Sequence, residues 1–186
     1  KGLRSGFDEE EASHDAPAGF DLDQFGASAK IEYDFGSFAL TSITSYDTVE
    51  SFSQADIDGG LQGGPEAIGA LGGQAFFSVA SGDGLSDHGQ FTQEIRFSGE
   101  RDKLFYQVGF YYFDEEITVD SSDFTNTGTP LNLTQVEQKT ESTALFGQIE
   151  YDWTDQFSVI LGLRYTEDEK DLQVIPRTGS TAPAAS

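Results

Sequence analysis

Apolar and polar residues alternate along six stretches of the chain. In the first, Phe25, Ala27, Ala29, Ile31, Tyr33 and Phe35 are separated by Gly26, Ser28, Lys30, Glu32 and Asp34. A period of two sends successive side chains to opposite faces of a strand. Strands of soluble proteins usually stop near about five or six residues. The run Phe25–Phe35 is about twice that, long enough to cross a bilayer when tilted.

The second run, Phe38 to Val49, has mixed phase. Phe38, Leu40 and Tyr46 share one face while Ile43 and Val49 share the other, so its facing stays open. The third sets Phe91, Gln93, Ile95 and Phe97 against Thr92, Glu94, Arg96 and Ser98. In the fourth, Leu104, Tyr106, Val108, Phe110 and Tyr112 alternate with Phe105, Gln107, Gly109, Tyr111 and Phe113. The fifth places Leu145, Gly147, Ile149, Tyr151 and Trp153 opposite Ala144, Phe146, Gln148, Glu150 and Asp152. In the sixth, Phe157, Val159, Leu161, Leu163 and Tyr165 oppose Ser158, Ile160, Gly162, Arg164 and Thr166.

The connections predicted between these runs alternate in length. Short turns are expected at 34–37, 99–103 and 154–156, and long polar or glycine-rich loops at 1–24, 50–89, 114–141 and 167–186, with a helical turn at Pro65–Leu71. A soluble sandwich has no reason to gather its long loops at one end, and structureless stretches of that length are uncommon in compact domains. An outer-membrane barrel has tight periplasmic turns and long extracellular loops. The pattern therefore predicts an all-β fold: an antiparallel up-and-down transmembrane β-barrel segment of about six strands in three hairpins. The rival is a soluble extracellular β-sandwich that binds or adheres, which would have shorter strands and equal loops at both ends.

On the barrel reading, Phe35, Phe38, Phe97, Phe105, Tyr151, Trp153 and Phe157 cluster at the turn ends as a periplasmic aromatic girdle, because amphipathic rings favour the interface. The expected lumen-facing polar residues are Lys30, Glu32, Glu94, Arg96, Gln148, Glu150 and Arg164, pairing across strands or contacting whatever fills the barrel.

Composition changes the picture in three ways. A net charge of −23, from 10 Lys and Arg against 33 Asp and Glu, argues against nucleic acid, whose backbone needs neutralising cations. The absence of Cys from the 186 residues excludes disulfides and thiolate chemistry. The absence of Met, the lack of an apolar run behind Lys1 and the polar ending TGSTAPAAS suggest one piece of a longer chain. Six strands alone would also leave two unpaired edges, which a bilayer does not tolerate.

At three stretches the sequence resembles the TonB-dependent receptors of Gram-negative outer membranes. They are DQFGASAKIEYDFGSFALTSITSYDTVES, QFTQEIRFSGERDKLFYQVGFYYFDEE and STALFGQIEYDWTDQFSVILGLRYTEDEKD, together roughly half the chain. The resemblance implies a place within a 22-stranded barrel in the cell outer membrane. It also implies a plug domain that residues 1–186 do not show, and import of a scarce ligand: a ferric siderophore, or cobalamin, haem or a glycan. The implied partners are outer-membrane lipid, the plug, the remaining barrel strands and the energy-coupling TonB complex.

Nothing in the chain has the pattern of a nucleophile, base and acid triad, so no enzyme and no catalytic residue is expected. No cofactor or metal site is assigned. Asp56 and Asp58 resemble the start of a calcium loop but lack the rest of its spacing. His88 (with His14 among acids) could join carboxylates at a metal, although a hydrated loop histidine is the default. Asp56, Asp58 and His88 are thus weak metal candidates only.

Overall fold

A computed structural model of the chain describes residues 18–56, 80–124 and 130–178. Six strands follow one another: β1 (Gly19–Asp34), β2 (Ala39–Asp56), β3 (Ala80–Arg101), β4 (Leu104–Phe124), β5 (Pro130–Thr154) and β6 (Phe157–Thr178). Each pairs antiparallel with its sequence neighbour, giving one six-stranded meander in the order β1-β2-β3-β4-β5-β6. The sheet is not closed, and β1 and β6 are its edges. No second sheet lies over it among the described residues, whereas a sandwich packs two sheets face to face.

The three tight hairpins form where turn chemistry demands. Between β1 and β2, Gly36 takes a φ of 85°. That conformation is open to glycine at no steric cost. The Gly36 N–H donates to the Asp34 carboxylate at 2.6 Å, and the Phe35 N–H donates to the Phe38 carbonyl at 2.9 Å. Asp102, with a φ of 55°, turns β3 into β4. Asp tolerates this left-handed position as a single residue. The Gln156 N–H donates to the Thr154 hydroxyl at 3.3 Å in the third turn. These connections, residues 35–38, 102–103 and 155–156, fall at the three expected places; the first is shifted by one residue and the second and third are tighter than the sequence suggests.

The expected long loops are corrected by the ladder. Strand pairing continues through most of 114–141, because β4 runs to Phe124 and β5 begins at Pro130. It also covers residues 50–56 and 80–89 of the expected 50–89 loop, residues 19–24 and residues 167–178. The physical reason lies in side-chain phase. Beyond the apolar runs the hydrophobic face changes sides, so a fixed-phase pattern ends while backbone pairing does not. The expected helical turn at Pro65–Leu71 lies outside the described residues.

One irregularity interrupts β3. Thr48 pairs with Gly89 and Ser51 with Leu85, while Leu85 and Asp87 pair with Val119 and Thr118. Both shifts place one extra residue at Ser86, whose hydroxyl donates to the Thr118 carbonyl at 3.3 Å. An extra residue of this kind is a β-bulge. Beyond it, the facing of β3 is reversed.

The sheet is a single layer. Among the described residues only Leu133, Ala144, Ser122 and the glycines Gly82, Gly84 and Gly109 are buried, and no large side chain is completely enclosed. A sheet with apolar surface and no covering layer needs something else against its faces.

Candidate functional site

The two faces of the sheet are the candidate site, and the register assigns every strand to them. Ile31 opposes Ser42, Ser42 opposes Ile95, Ile95 opposes Phe110, Phe110 opposes Leu145 and Leu145 opposes Tyr165. Direct partners project to the same side, so these residues mark one face, the Ile31 face. The open facing of β2 is thereby settled: Leu40, Ser42, Thr44 and Tyr46 lie on the Ile31 face, and Thr41, Ile43 and Ser45 on the other.

On the Ile31 face each strand carries an apolar window of closely similar length. The windows are Phe25–Tyr33, Phe38–Tyr46, Phe91–Phe97, Leu104–Tyr112, Leu145–Trp153 and Phe157–Tyr165. A transmembrane strand needs about 9–11 residues. The windows are not level. Phe25 lies one same-face step above Tyr46, Tyr46 is level with Phe91, Phe91 lies one step above Tyr112, Tyr112 one step above Leu145, and Leu145 is level with Tyr165. The upper boundary thus falls by three such steps, about 20 Å along the strands, over five strand spacings of about 24 Å. That slope is about 40°, the tilt of strands in outer-membrane barrels. A flat boundary crossed by tilted strands produces this pattern, because each strand meets it at a different height.

Above the boundary the Ile31 face turns acidic: Asp23, Glu50, Asp114, Glu116, Glu141, Glu167 and Glu169 follow. Lys139 is paired with Glu116 at 2.9 Å. The hydrogen bond to that carboxylate raises the lysine pKa above its ordinary value, since it favours the charged form.

One polar cluster interrupts the apolar band. Gln93 accepts from the Thr44 hydroxyl at 2.5 Å and donates to Ser42 Oγ at 3.0 Å and to the Ile43 and Glu94 carbonyls at 3.2 Å. Its amide is satisfied within β2 and β3, which offsets the cost of placing it among apolar neighbours.

The opposite face carries all seven polar residues expected on one side: Lys30, Glu32, Glu94, Arg96, Gln148, Glu150 and Arg164. Their pairing differs from expectation. Lys30 pairs with Glu32 at 2.8 Å and Arg96 with Glu94 at 2.6 Å, each along its own strand rather than across. Same-face neighbours two residues apart can meet without bending the flexible stems over an intervening strand. Arg164 instead lies against two aromatic rings, 5.6 Å from the centre of Tyr111 and 5.7 Å from that of Phe146. A guanidinium at that range is attracted by the ring faces. Arg164 also donates to the Thr166 hydroxyl at 3.0 Å. The Phe146 ring is laid across Gly109, where a Cβ would collide with it.

Of the expected girdle aromatics, six lie at the turn ends away from the Lys30 face. Tyr33, Phe35, Phe38 and Phe97 form a chain of rings with centroids 4.5, 4.6 and 6.2 Å apart. Tyr151 and Trp153 meet edge to face, and Phe157 follows across the third turn. Phe105 does not join them: it opposes Glu100 and Glu150, on the Lys30 face. Its neighbour Tyr106 takes that position and donates its hydroxyl to the Ser37 carbonyl at 3.4 Å.

The metal candidates do not assemble. His88 faces Glu115 at 3.4 Å, while Asp58 and the side chain of Asp56 lie outside the described residues. Among the described residues no group of three His, Asp or Glu side chains is placed to hold a metal.

Sequence reasoning missed one feature altogether. Above the polar rows the Lys30 face becomes apolar: Leu22, Leu85, Val119, Val136 and Val174 stand in a single cross-strand row interrupted only by Ser51. Its signal was a change of phase, from even positions at Leu104–Tyr112 to odd ones at Ile117 and Val119 in β4, for example.

Residues 3–184 match the family model described as TonB dependent receptor-like, beta-barrel. The chain has no significant match among curated proteins.

Proposed function

This chain belongs to the TonB-dependent receptor β-barrel family, and we propose that it forms a six-strand sector of an outer-membrane receptor that imports a scarce ligand through a plugged barrel. The observation that supports this most directly is the apolar band of the Ile31 face. It has the width of a bilayer core and slopes by about 40°, as tilted barrel strands require. On this reading the Ile31 face meets lipid and the Lys30 face lines the lumen. The turns at 35–38, 102–103 and 155–156 face the periplasm, and the opposite ends of the strands stand in the external medium. Phe35, Phe38, Phe97, Tyr106, Tyr151, Trp153 and Phe157 form the periplasmic girdle.

The remaining strands that close the barrel, the plug and the TonB complex are the partners this reading requires. Both edges, β1 and β6, would pair with further strands of the same barrel, since unpaired backbone in lipid costs several kcal/mol per group. The cargo proposed first is a ferric siderophore, with cobalamin, haem or a glycan as the alternatives.

Deleting the gene and following labelled ferric siderophores into iron-limited cells tests the proposal. Expected are loss of energy-dependent uptake, recovery on complementation, and recovery of the protein in the outer-membrane fraction. A receptor found in a soluble fraction would sink the reading; an outer-membrane receptor whose deletion leaves ferric siderophore uptake intact would redirect it to another cargo.

A further inference from the structure

The sheet inverts its polarity partway up. In the lower part the Ile31 face is apolar, while the Lys30 face holds the charged side chains among aromatics such as Tyr111 and Phe146; in the upper part the Ile31 face is mainly acidic, with Phe52, Leu133 and Ile175 among the acids, and the Lys30 face carries an apolar row. The upper row of the Lys30 face runs Leu22–Ser51–Leu85–Val119–Val136–Val174, with Val49, Ile117 and Leu172 beside it. On the Ile31 face at about the same height stand the acids Asp21, Asp23, Glu50, Asp87, Asp120 and Glu137, with Phe52 and Ile175 beside them. The inversion arises separately in five of the six strands. In β1, β4, β5 and β6 the sequence changes phase, and in β3 the Ser86 bulge swings Leu85 onto the row. Five strands have no reason to converge on one apolar row unless something apolar lies against it, because this part of the sheet is above the lipid boundary. Leu22 and Val174 are more than half exposed, at 55% and 56%.

The charges around the row narrow what that can be. Within two same-face steps of it the Lys30 face presents Asp47, Asp83, Glu115 and Asp123 against a single ammonium, Lys170, with His88 beside Glu115. The guanidinium groups of this face, Arg96 and Arg164, lie several steps lower. A chain of net charge −23 adds a field of the same sign. An anionic chelate would be repelled at this wall, whereas an apolar body carrying no charge or a positive one would be drawn to it.

We infer that the Leu22–Val174 row is a contact surface for the imported ligand, and that this ligand has an apolar body with no net negative charge. The inference rests on the receptor reading above and restricts its cargo to neutral or cationic compounds, ferric complexes of that charge included.

The test uses the full-length receptor in lipid nanodiscs, titrated with tetraphenylphosphonium and with tetraphenylborate against empty nanodiscs. The two ions share one shape and differ in charge. Saturable tetraphenylphosphonium binding is expected, with tetraphenylborate at least about tenfold weaker and a Val119→Ser/Val136→Ser receptor weakened by about tenfold. Val119→Ile/Val136→Ile should bind as the parent does. Leu22→Ser/Val174→Ser, at the two ends of the row, provides a second variant should the first fail to fold, as judged by heat-modifiable gel mobility. Equal binding of both ions overturns the charge assignment. Unchanged binding in the folded serine variants overturns the location, and no saturable binding overturns the surface, as it would if another part of the receptor covers the row. A receptor that sits in the outer membrane and supports uptake, yet binds neither ion, sinks this inference alone. One absent from the outer membrane sinks the reading beneath it.

Discussion

At the scale of single residues, Gly109 and Phe146 form a close pair on the Lys30 face. They are direct cross-strand partners, and the ring occupies the space a Cβ at Gly109 would need. A ring laid over a strand glycine recovers packing the glycine cannot supply itself. Gly109→Ala should therefore destabilise the folded receptor by about 1–3 kcal/mol through overpacking. Adding Phe146→Ala should recover much of that loss, since the ring is the obstacle. Urea unfolding of the receptor in lipid vesicles measures both, and strictly additive losses would contradict the contact. Residue-level roles were unevenly legible. Alternation alone put Lys30, Glu32, Glu94, Arg96, Gln148, Glu150 and Arg164 on one side. Nearness to a turn misplaced Phe105, because distance along the chain sets height in the sheet while only parity sets the face. Parity already grouped Phe105 with Gln107 and Gly109.

At the scale of an element, β5 shows how sharply the two faces should differ. Ile149 is at the middle of its apolar window, and Gln148 next to it projects to the other side. Ile149→Arg should cost about 2–4 kcal/mol of folding free energy in a bilayer, the penalty for a cation near the midplane of a barrel's lipid face. Gln148→Arg should change stability by less than about 0.5 kcal/mol, as substitutions at solvated positions do. Similar losses from both, in vesicle-based folding titrations, would remove the lipid assignment of the Ile31 face. The same strand explains why its outer half was hidden. From Pro130 to Ser142 it carries mostly Thr, Gln, Glu and Lys, with Leu131, Leu133 and Val136 as its strongly apolar residues and no sustained alternation, and that composition reads as loop. Backbone pairing to β4 and β6 holds it in the ladder regardless, because hydrogen bonding between strands does not require an apolar side chain at each step.

At the scale of the whole molecule, the six strands make a surface rather than a core. Leu163 is 87% exposed and Trp153 is 68% exposed. Both belong to a contiguous apolar band that water would not leave uncovered. The edges β1 and β6 add two rows of unpaired backbone groups, ready templates for another strand. Net charge −23 opposes association at long range, but the charges of the described residues are concentrated above the band, so the apolar surface itself is poorly protected. Residues 1–186 expressed alone should therefore form mixed high-mass species in detergent-free buffer, and detergent should shift them to smaller particles by masking the band. Size-exclusion chromatography with light scattering reads the outcome directly. A monodisperse, β-rich monomer without detergent would mean that the sheet covers its own Ile31 face, and the lipid-facing assignment of that band would have to be abandoned.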